Sequence, residues 1–162
     1  MPHIIVFYAG VVLMVVRAVN HVCFTVSDLD RSIAFWTHLT GGGPESRVEY
    51  HDAPDAKVTG YPGVEMSAAY FRLPGDLLLE LFQYHEPASV PASSNETYVV
   101  GNAHLCIVVG DLDEAYQHLQ GTGATFRSDG PVPIESGEHA GARSMYVRDP
   151  DGITIEVLEL AG

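Results

Sequence analysis

Ten residues near the start of this 162-residue chain return 83 positions later, and this repeat restricts the fold more than any other feature of the sequence. His21, Cys23, Val26, Asp28, Leu29 and Asp30 recur as His104, Cys106, Val109, Asp111, Leu112 and Asp113. Each copy opens on a histidine at the head of a strand. Each half of the chain then closes on a glutamate inside an apolar strand: Glu80 among Leu77, Leu78, Leu79 and Leu81, and Glu156 among Ile153, Ile155 and Val157. A unit duplicated in this way folds as two matched modules. It also sets two imidazoles and two carboxylates at corresponding places, which suggests one divalent-metal site at the centre of the pseudo-symmetric fold.

The pattern along each copy predicts its elements. Residues 19–26 have strand character, and the acidic residues of the Ser27 to Asp30 stretch suit the start of a helix. Ile33, Phe35, Trp36 and Leu39 recur at helical spacing until Gly41 stops the run, which predicts a helix over about 30–39. Polar residues and the Gly60 to Gly63 turn follow, then a strand near 66–73 and the Glu80 strand, and the first unit is taken as β-α-β-β-β with one of its strands left without bounds. Residues 85–101 are rich in Pro, Ser and Ala and read as a connector. The second unit repeats the order, with a strand over 103–109, a helix over about 112–122 and a turn at Asp149 to Gly152 before the Glu156 strand. The expected organisation is an apolar N-terminal extension (1–17), a first module (18–86), a linker (87–101) and a second module (102–162). The interval from His to Glu is 59 residues in one unit and 52 in the other, and the loop before Gly63 can hold most of the excess.

Charge narrows the partners. Eight Lys and Arg against 21 Asp and Glu give a net charge of −13, which opposes the phosphate contacts that nucleic acids and anionic membrane surfaces require. A small molecule is the expected ligand. The one long apolar run, residues 4–16, is shorter than the about 20 residues that span a bilayer. It lacks the flanks of a signal peptide and is expected to be an added strand or to lie upstream of an alternative start at Met14. If ordered, it would pack against something, with a partner subunit as candidate. Cys23 and Cys106 are read as buried thiols of a protein kept in the reducing cytoplasm.

A glutamate flanked by leucines cannot sit in an apolar core without a partner, because burying an unpaired carboxylate costs several kcal/mol. His21, Glu80, His104 and Glu156 answer that requirement as ligands of one ion. Two nitrogens and two carboxylates suit Ni²⁺, Co²⁺, Zn²⁺, Mn²⁺ or Fe²⁺, and the lack of thiolates argues against a closed structural zinc site. A six-coordinate ion would keep two positions for water or substrate oxygens. Phe82 shares a strand face with Glu80 and is a candidate substrate contact. His139 and Arg143, in a glycine-hinged loop over 135–143, are two more. His38, His51, His85 and His118 are read as surface residues, and Trp36, Phe35, Phe71 and Tyr70 as core.

The paired His-x-x-x-x-Val-x-Asp-Leu-Asp openings, Leu79-Glu80-Leu81, and the run from Tyr146 through Asp149-Pro150-Asp151-Gly152 to Glu156 together resemble the vicinal oxygen chelate superfamily, also described as glyoxalase / bleomycin resistance protein / extradiol dioxygenase. The resemblance covers about residues 18–160. It implies an α+β fold of two tandem βαβββ modules forming a cleft around a metal site, with His21, Glu80, His104 and Glu156 at the ligand positions. It also implies a homodimer, its sites lying within one chain or shared between two. Family dioxygenases leave the Glu80 position without a ligand, so Glu80 favours a divalent-metal-dependent lyase or isomerase similar to glyoxalase I or methylmalonyl-CoA epimerase. Such enzymes move a proton next to a carbonyl through an enediolate held by the metal, with Glu156 the first candidate base and Glu80 the second. Thr25 and Tyr84 stand where glyoxalase I has its glutathione-binding arginine and asparagine, so glutathione adducts are poorly supported. An extradiol-type dioxygenase, and a non-catalytic protein sequestering an antibiotic or metabolite, are the alternatives.

Overall fold

The computed structural model describes residues 16–52 and 54–162, so the apolar run, Val16 apart, lies outside the described residues. The first module begins with β1 (His21–Thr25) and α1 (Leu29–Thr40) and continues with β2 (Ser46–His51), a 3-10 turn at Pro54–Thr59, β3 (Glu65–Arg72) and β4 (Leu78–Glu86). The second contains β5 (Leu105–Val108), α2 (Leu112–Leu119), two-residue strands β6 (Thr125–Phe126) and β7 (Val132–Pro133), then β8 (Arg143–Arg148) and β9 (Thr154–Glu159). Each module folds into its own sheet, ordered β1-β4-β3-β2 and β5-β9-β8-β6, with β7 also on β8. The first strand of each runs parallel to the last, and the other pairings are antiparallel. This is the α+β fold of two repeated units that the sequence predicts.

Matched capping explains why the helices start where they do. Asp28 and Asp111 are N-caps whose side chains accept from the backbone N–H of Arg31 and Glu114. A second lock comes from the sheet. Gln83 on β4 accepts from Leu29 N–H at 2.8 Å, and Glu159 on β9 accepts from Leu112 N–H at 2.7 Å. Gly41, with φ +75°, closes α1 in the left-handed conformation that glycine adopts without a Cβ clash. α2 ends at Leu119, three residues before the expected Thr122, because Gln120 is already extended.

Strand alternation divides each sheet into two faces. Leu79, Leu81, Ala69 and Phe71 turn inward with Val147, Ile155 and Val157, and one continuous core joins both modules to Leu29, Phe35, Trp36, Leu112 and Leu119. Trp36, fully buried, stacks on Phe24 with 6.0 Å between ring centroids. The opposite face of the first sheet carries Glu80 together with a smaller cluster of Val64, Met66, Tyr50, Phe82 and Tyr84. The expectation of buried cysteines is corrected: Cys23 and Cys106 are free and exposed. β1 and β5 are edge strands, and both thiols alternate onto the open face while Val22, Phe24, Leu105 and Ile107 take the packed one.

The modules are fastened at two places. Asp151, in the β8–β9 turn, accepts from Ser27 N–H, Ser27 Oγ and the Arg31 guanidinium at 2.5–3.1 Å. α1 also packs on α2, where the His118 ring donates to the His38 carbonyl at 2.9 Å. Between β4 and β5 the chain is irregular yet held down. Glu96 pairs with Arg127 at 2.8 Å and Arg148 at 3.2 Å, and Arg148 also donates to the Asn95 carbonyl at 2.6 Å.

Candidate metal and catalytic site

The register of the parallel strands builds two matching half-sites. In the first module Cys23 on β1 and Tyr70 on β3 flank Glu80 on β4, so all three share one face. His21 heads β1 on the same face, with Nε2 3.6 Å from Glu80 Oε2. Its Nδ1 lies 2.9 Å from Asn20 Oδ1. An amide oxygen only accepts, so Nδ1 carries the hydrogen there, and Nε2 is the ring nitrogen turned toward the carboxylate. In the second module Cys106 and Tyr146 flank Glu156 in the same way. His104 Nε2 lies 3.2 Å from Glu156 Oε2, and the His104 ring is 5.2 Å from that of Tyr146.

The chemistry of the lining follows from desolvation. Although both residues keep an exposed edge, partial desolvation of the sulfur by the side chains around it, then the Glu80 charge, pushes the Cys23 thiol up to about 12, and partial desolvation, then Glu156, raises the Cys106 thiol. Tyr70, Tyr84 and Tyr146 are raised as well, burial being the main cause for each. Near neutral pH these thiols and phenols are uncharged. Phe82, two residues beyond Glu80, stands edge-on to Tyr70 at 6.4 Å, and the Tyr70 and Tyr50 hydroxyls are hydrogen-bonded to each other at 2.8 Å.

A metal can be tested against this geometry. Ligands about 2.1 Å from an ion and at right angles on it are about 3 Å apart, and the two N–O separations are 3.2 and 3.6 Å. Each pair thus fits two adjacent coordination positions. Among the described residues no group of three or more His, Cys, Asp or Glu gathers where an ion could sit. One chain brings together His21 with Glu80, and His104 with Glu156.

The remaining candidates fall elsewhere. His139 is exposed in the loop before β8, its carbonyl accepting from Ala142 N–H. Arg143 pairs with Glu159 in register, one residue out of phase with Tyr146 and Glu156, and so belongs to the helix side of the sheet. There its guanidinium donates to Asp113 and Glu159, both at 2.8 Å. Ser144 and Tyr146 occupy the face that Arg143 does not, and with Arg127, Val132, Ile134 and Glu156 they line a cavity of about 320 Å³. Sequence reading passed over Ser144 and Tyr146. Alternation back from Tyr146 puts both on one face, but only the pairing of β8 with β9 sets them beside Glu156.

Comparisons with known proteins agree with this architecture. The sequence profile of the Glyoxalase/Bleomycin resistance protein/Dioxygenase superfamily matches residues 18–157. A 2-epi-5-epi-valiolone epimerase of Actinomyces sp is 32% identical over 153 residues, spanning 88% of this chain and 79% of that protein. A lactoylglutathione lyase of Arabidopsis thaliana is 25% identical over 144 residues, 88% of this chain but 44% of the plant protein. Among solved structures, a glyoxalase family protein of Bacillus cereus superposes with a TM-score of 0.77 at 23% identity, over 97% of this chain and 100% of that one.

Proposed function

Because the chain belongs to the Glyoxalase/Bleomycin resistance protein/Dioxygenase superfamily, we propose that it is a metal-dependent isomerase that removes and returns a proton on the carbon next to a carbonyl of a small molecule. The observation that carries this reading is the pair of His–Glu couples on equivalent strands, His21 with Glu80 and His104 with Glu156. The similarity to an epimerase at 32% identity supports isomerisation ahead of elimination.

His21, Glu80, His104 and Glu156 would hold the ion, one of Ni²⁺, Co²⁺, Zn²⁺, Mn²⁺ or Fe²⁺. When bound, such an ion acidifies the neighbouring C–H by drawing charge onto the carbonyl oxygen. The chain's own contribution is the carboxylate that takes and returns the proton, a face walled by Tyr50, Tyr70, Phe82 and Tyr84 against which the substrate lies, and His rings aimed by their neighbours. Since each chain couples the four ligands as two separate pairs, the site is completed between two copies, His21 and Glu80 of one meeting His104 and Glu156 of the other.

The test joins metal content to proton exchange. Protein purified without an affinity tag is assayed by inductively coupled plasma mass spectrometry and light scattering, beside His104→Ala. Deuterium uptake from D₂O into 2-hydroxyketones and 2-oxo acids is followed by NMR. About one ion per chain in a dimer, lost in the variant, with deuterium entering next to a carbonyl, is expected. A chain that takes up none of the five ions refutes the reading and favours a sequestering protein.

A further inference from the structure

We propose that the two carboxylates have different tasks: Ser144 holds Glu156 in place as a fixed ligand, and Glu80 is the carboxylate that carries the proton. This rests on the reading of His21, Glu80, His104 and Glu156 as one metal site. One oxygen of Glu156 is held by a side chain that is not a candidate ligand. Ser144 Oγ donates to Oε1 at 2.8 Å, and the His104 ring meets Oε2 at 3.2 Å. Glu80 has only the His21 ring at 3.6 Å, beyond hydrogen-bond reach, and accepts no hydrogen bond among the described residues.

The register identifies the cause as one side chain. Tyr70 lies opposite Glu80 and Tyr146 opposite Glu156, so the position two residues before each tyrosine is equivalent in the two modules. It is Ser144 in the second and Ala68 in the first. Tyr70 cannot take over from the missing serine, because its hydroxyl is already joined to Tyr50 at 2.8 Å. Phe82 offers no donor at all. Among the described residues the Glu80 carboxylate thus has no hydrogen bond to break.

Proton transfer needs a carboxylate that can change partners. A hydrogen bond to a charged carboxylate shifts an equilibrium by a factor of about ten to a hundred, so the clamped Glu156 stays where it is and the free Glu80 moves. In the step itself the substrate C–H bond breaks and an O–H bond forms on Glu80. The C–H electron pair becomes the C=C bond of an enolate while the carbonyl π pair moves to oxygen; on return the Glu80 O–H bond breaks and a C–H bond forms on the other face of that carbon, the enolate having turned, while the oxygen pair restores the carbonyl. No oxidant or reductant enters. Ser144 is a positioning residue in this scheme, acting through Glu156.

Titration calorimetry with Ni²⁺ alone, on Glu80→Gln, Glu156→Gln, Ser144→Ala and Ser144→Thr, tests the division, with circular dichroism to confirm folding. Glu156→Gln and Ser144→Ala are expected to weaken Ni²⁺ about tenfold or more, Ser144→Thr to return to within about threefold of the wild type, and Glu80→Gln to lose clearly less than Glu156→Gln. Ala68→Ser gives Glu80 the same clamp. It is expected to slow deuterium exchange into dihydroxyacetone while Ni²⁺ is held at least as tightly. Wild-type affinity in Ser144→Ala, equal losses in the two Gln variants, or unslowed exchange in Ala68→Ser would overturn the division of labour while leaving the metal site standing. A wild-type protein that binds no Ni²⁺, Co²⁺, Zn²⁺, Mn²⁺ or Fe²⁺ removes the site itself.

Discussion

Asp149 sits in the turn between β8 and β9 with 2% of its surface exposed, Oδ1 accepting from the N–H groups of Asp151 and Ile153 and Oδ2 buried without a partner. Burial, outweighing those two hydrogen bonds, pushes its carboxyl from 3.8 up to about 6. A carboxyl raised in the folded state binds its proton more tightly there than in the unfolded chain. Its ionisation therefore takes stability away as pH rises from about 4 through about 6, and the loss is complete above about pH 7. A shift of about 2 units corresponds to roughly 3 kcal/mol, of which about 2 kcal/mol falls between pH 8 and pH 4.5. In a chain of this size 3 kcal/mol is about 6–12 °C in Tm. Asp149→Asn keeps an oxygen for both N–H groups and cannot ionise. Thermal melts of both proteins from pH 8 to 4.5 at constant ionic strength isolate this group, since the other acids cancel in the difference. The variant's advantage over the wild type should shrink by about 2 kcal/mol on acidification. Two parallel curves would show that the Asp149 carboxylate is not strained by burial.

Three further outcomes are expected. Trp36→Ala, removing a fully buried ring that stacks on Phe24 and meets Phe35 edge-on, should cost about 3–5 kcal/mol in urea unfolding. Gly152→Ala should cost about 1–2 kcal/mol by the same assay, because φ is +83° and a Cβ there runs into the Asn95 amide that donates to the Asp151 carbonyl. Glu96→Ala releases Arg127 and Arg148, and limited proteolysis should cut within residues 87–101 at least several-fold faster than in the wild type, with little change in global stability.

Local chemistry made some of this legible in advance. Asp28 and Asp111 mark their helix starts, and the repeated histidines and glutamates define matching strands, because capping and alternation act within a few residues. β2 is expected only from the β-α-β-β-β order and without bounds: Ser46–His51 is an exposed, polar edge strand with no apolar stripe to read. The exposure of Cys23 and Cys106 depends on β1 and β5 being sheet edges, and Arg143 lies one residue out of phase with Glu156 only once β8 is paired. That one chain couples the ligands in twos follows from how the modules pack, to which residues far apart in the sequence contribute and no short motif does.

The alternation of β4 and β9 has a consequence for how such a chain changes length over generations. Even-numbered positions, Glu80 and Glu156, face the open side, while Gln83 and Glu159, three residues on, reach back to the starts of α1 and α2. A one-residue deletion upstream within Thr154–Glu159 would turn Glu156 into the core and an apolar neighbour out to solvent. A two-residue deletion would restore the facing but pull Glu159 away from Leu112. Insertions and deletions are therefore tolerated in the turns, and the connection from β2 to β3 in one module and from β6 to β8 in the other is where the length can change without moving Glu80 or Glu156 off the open face.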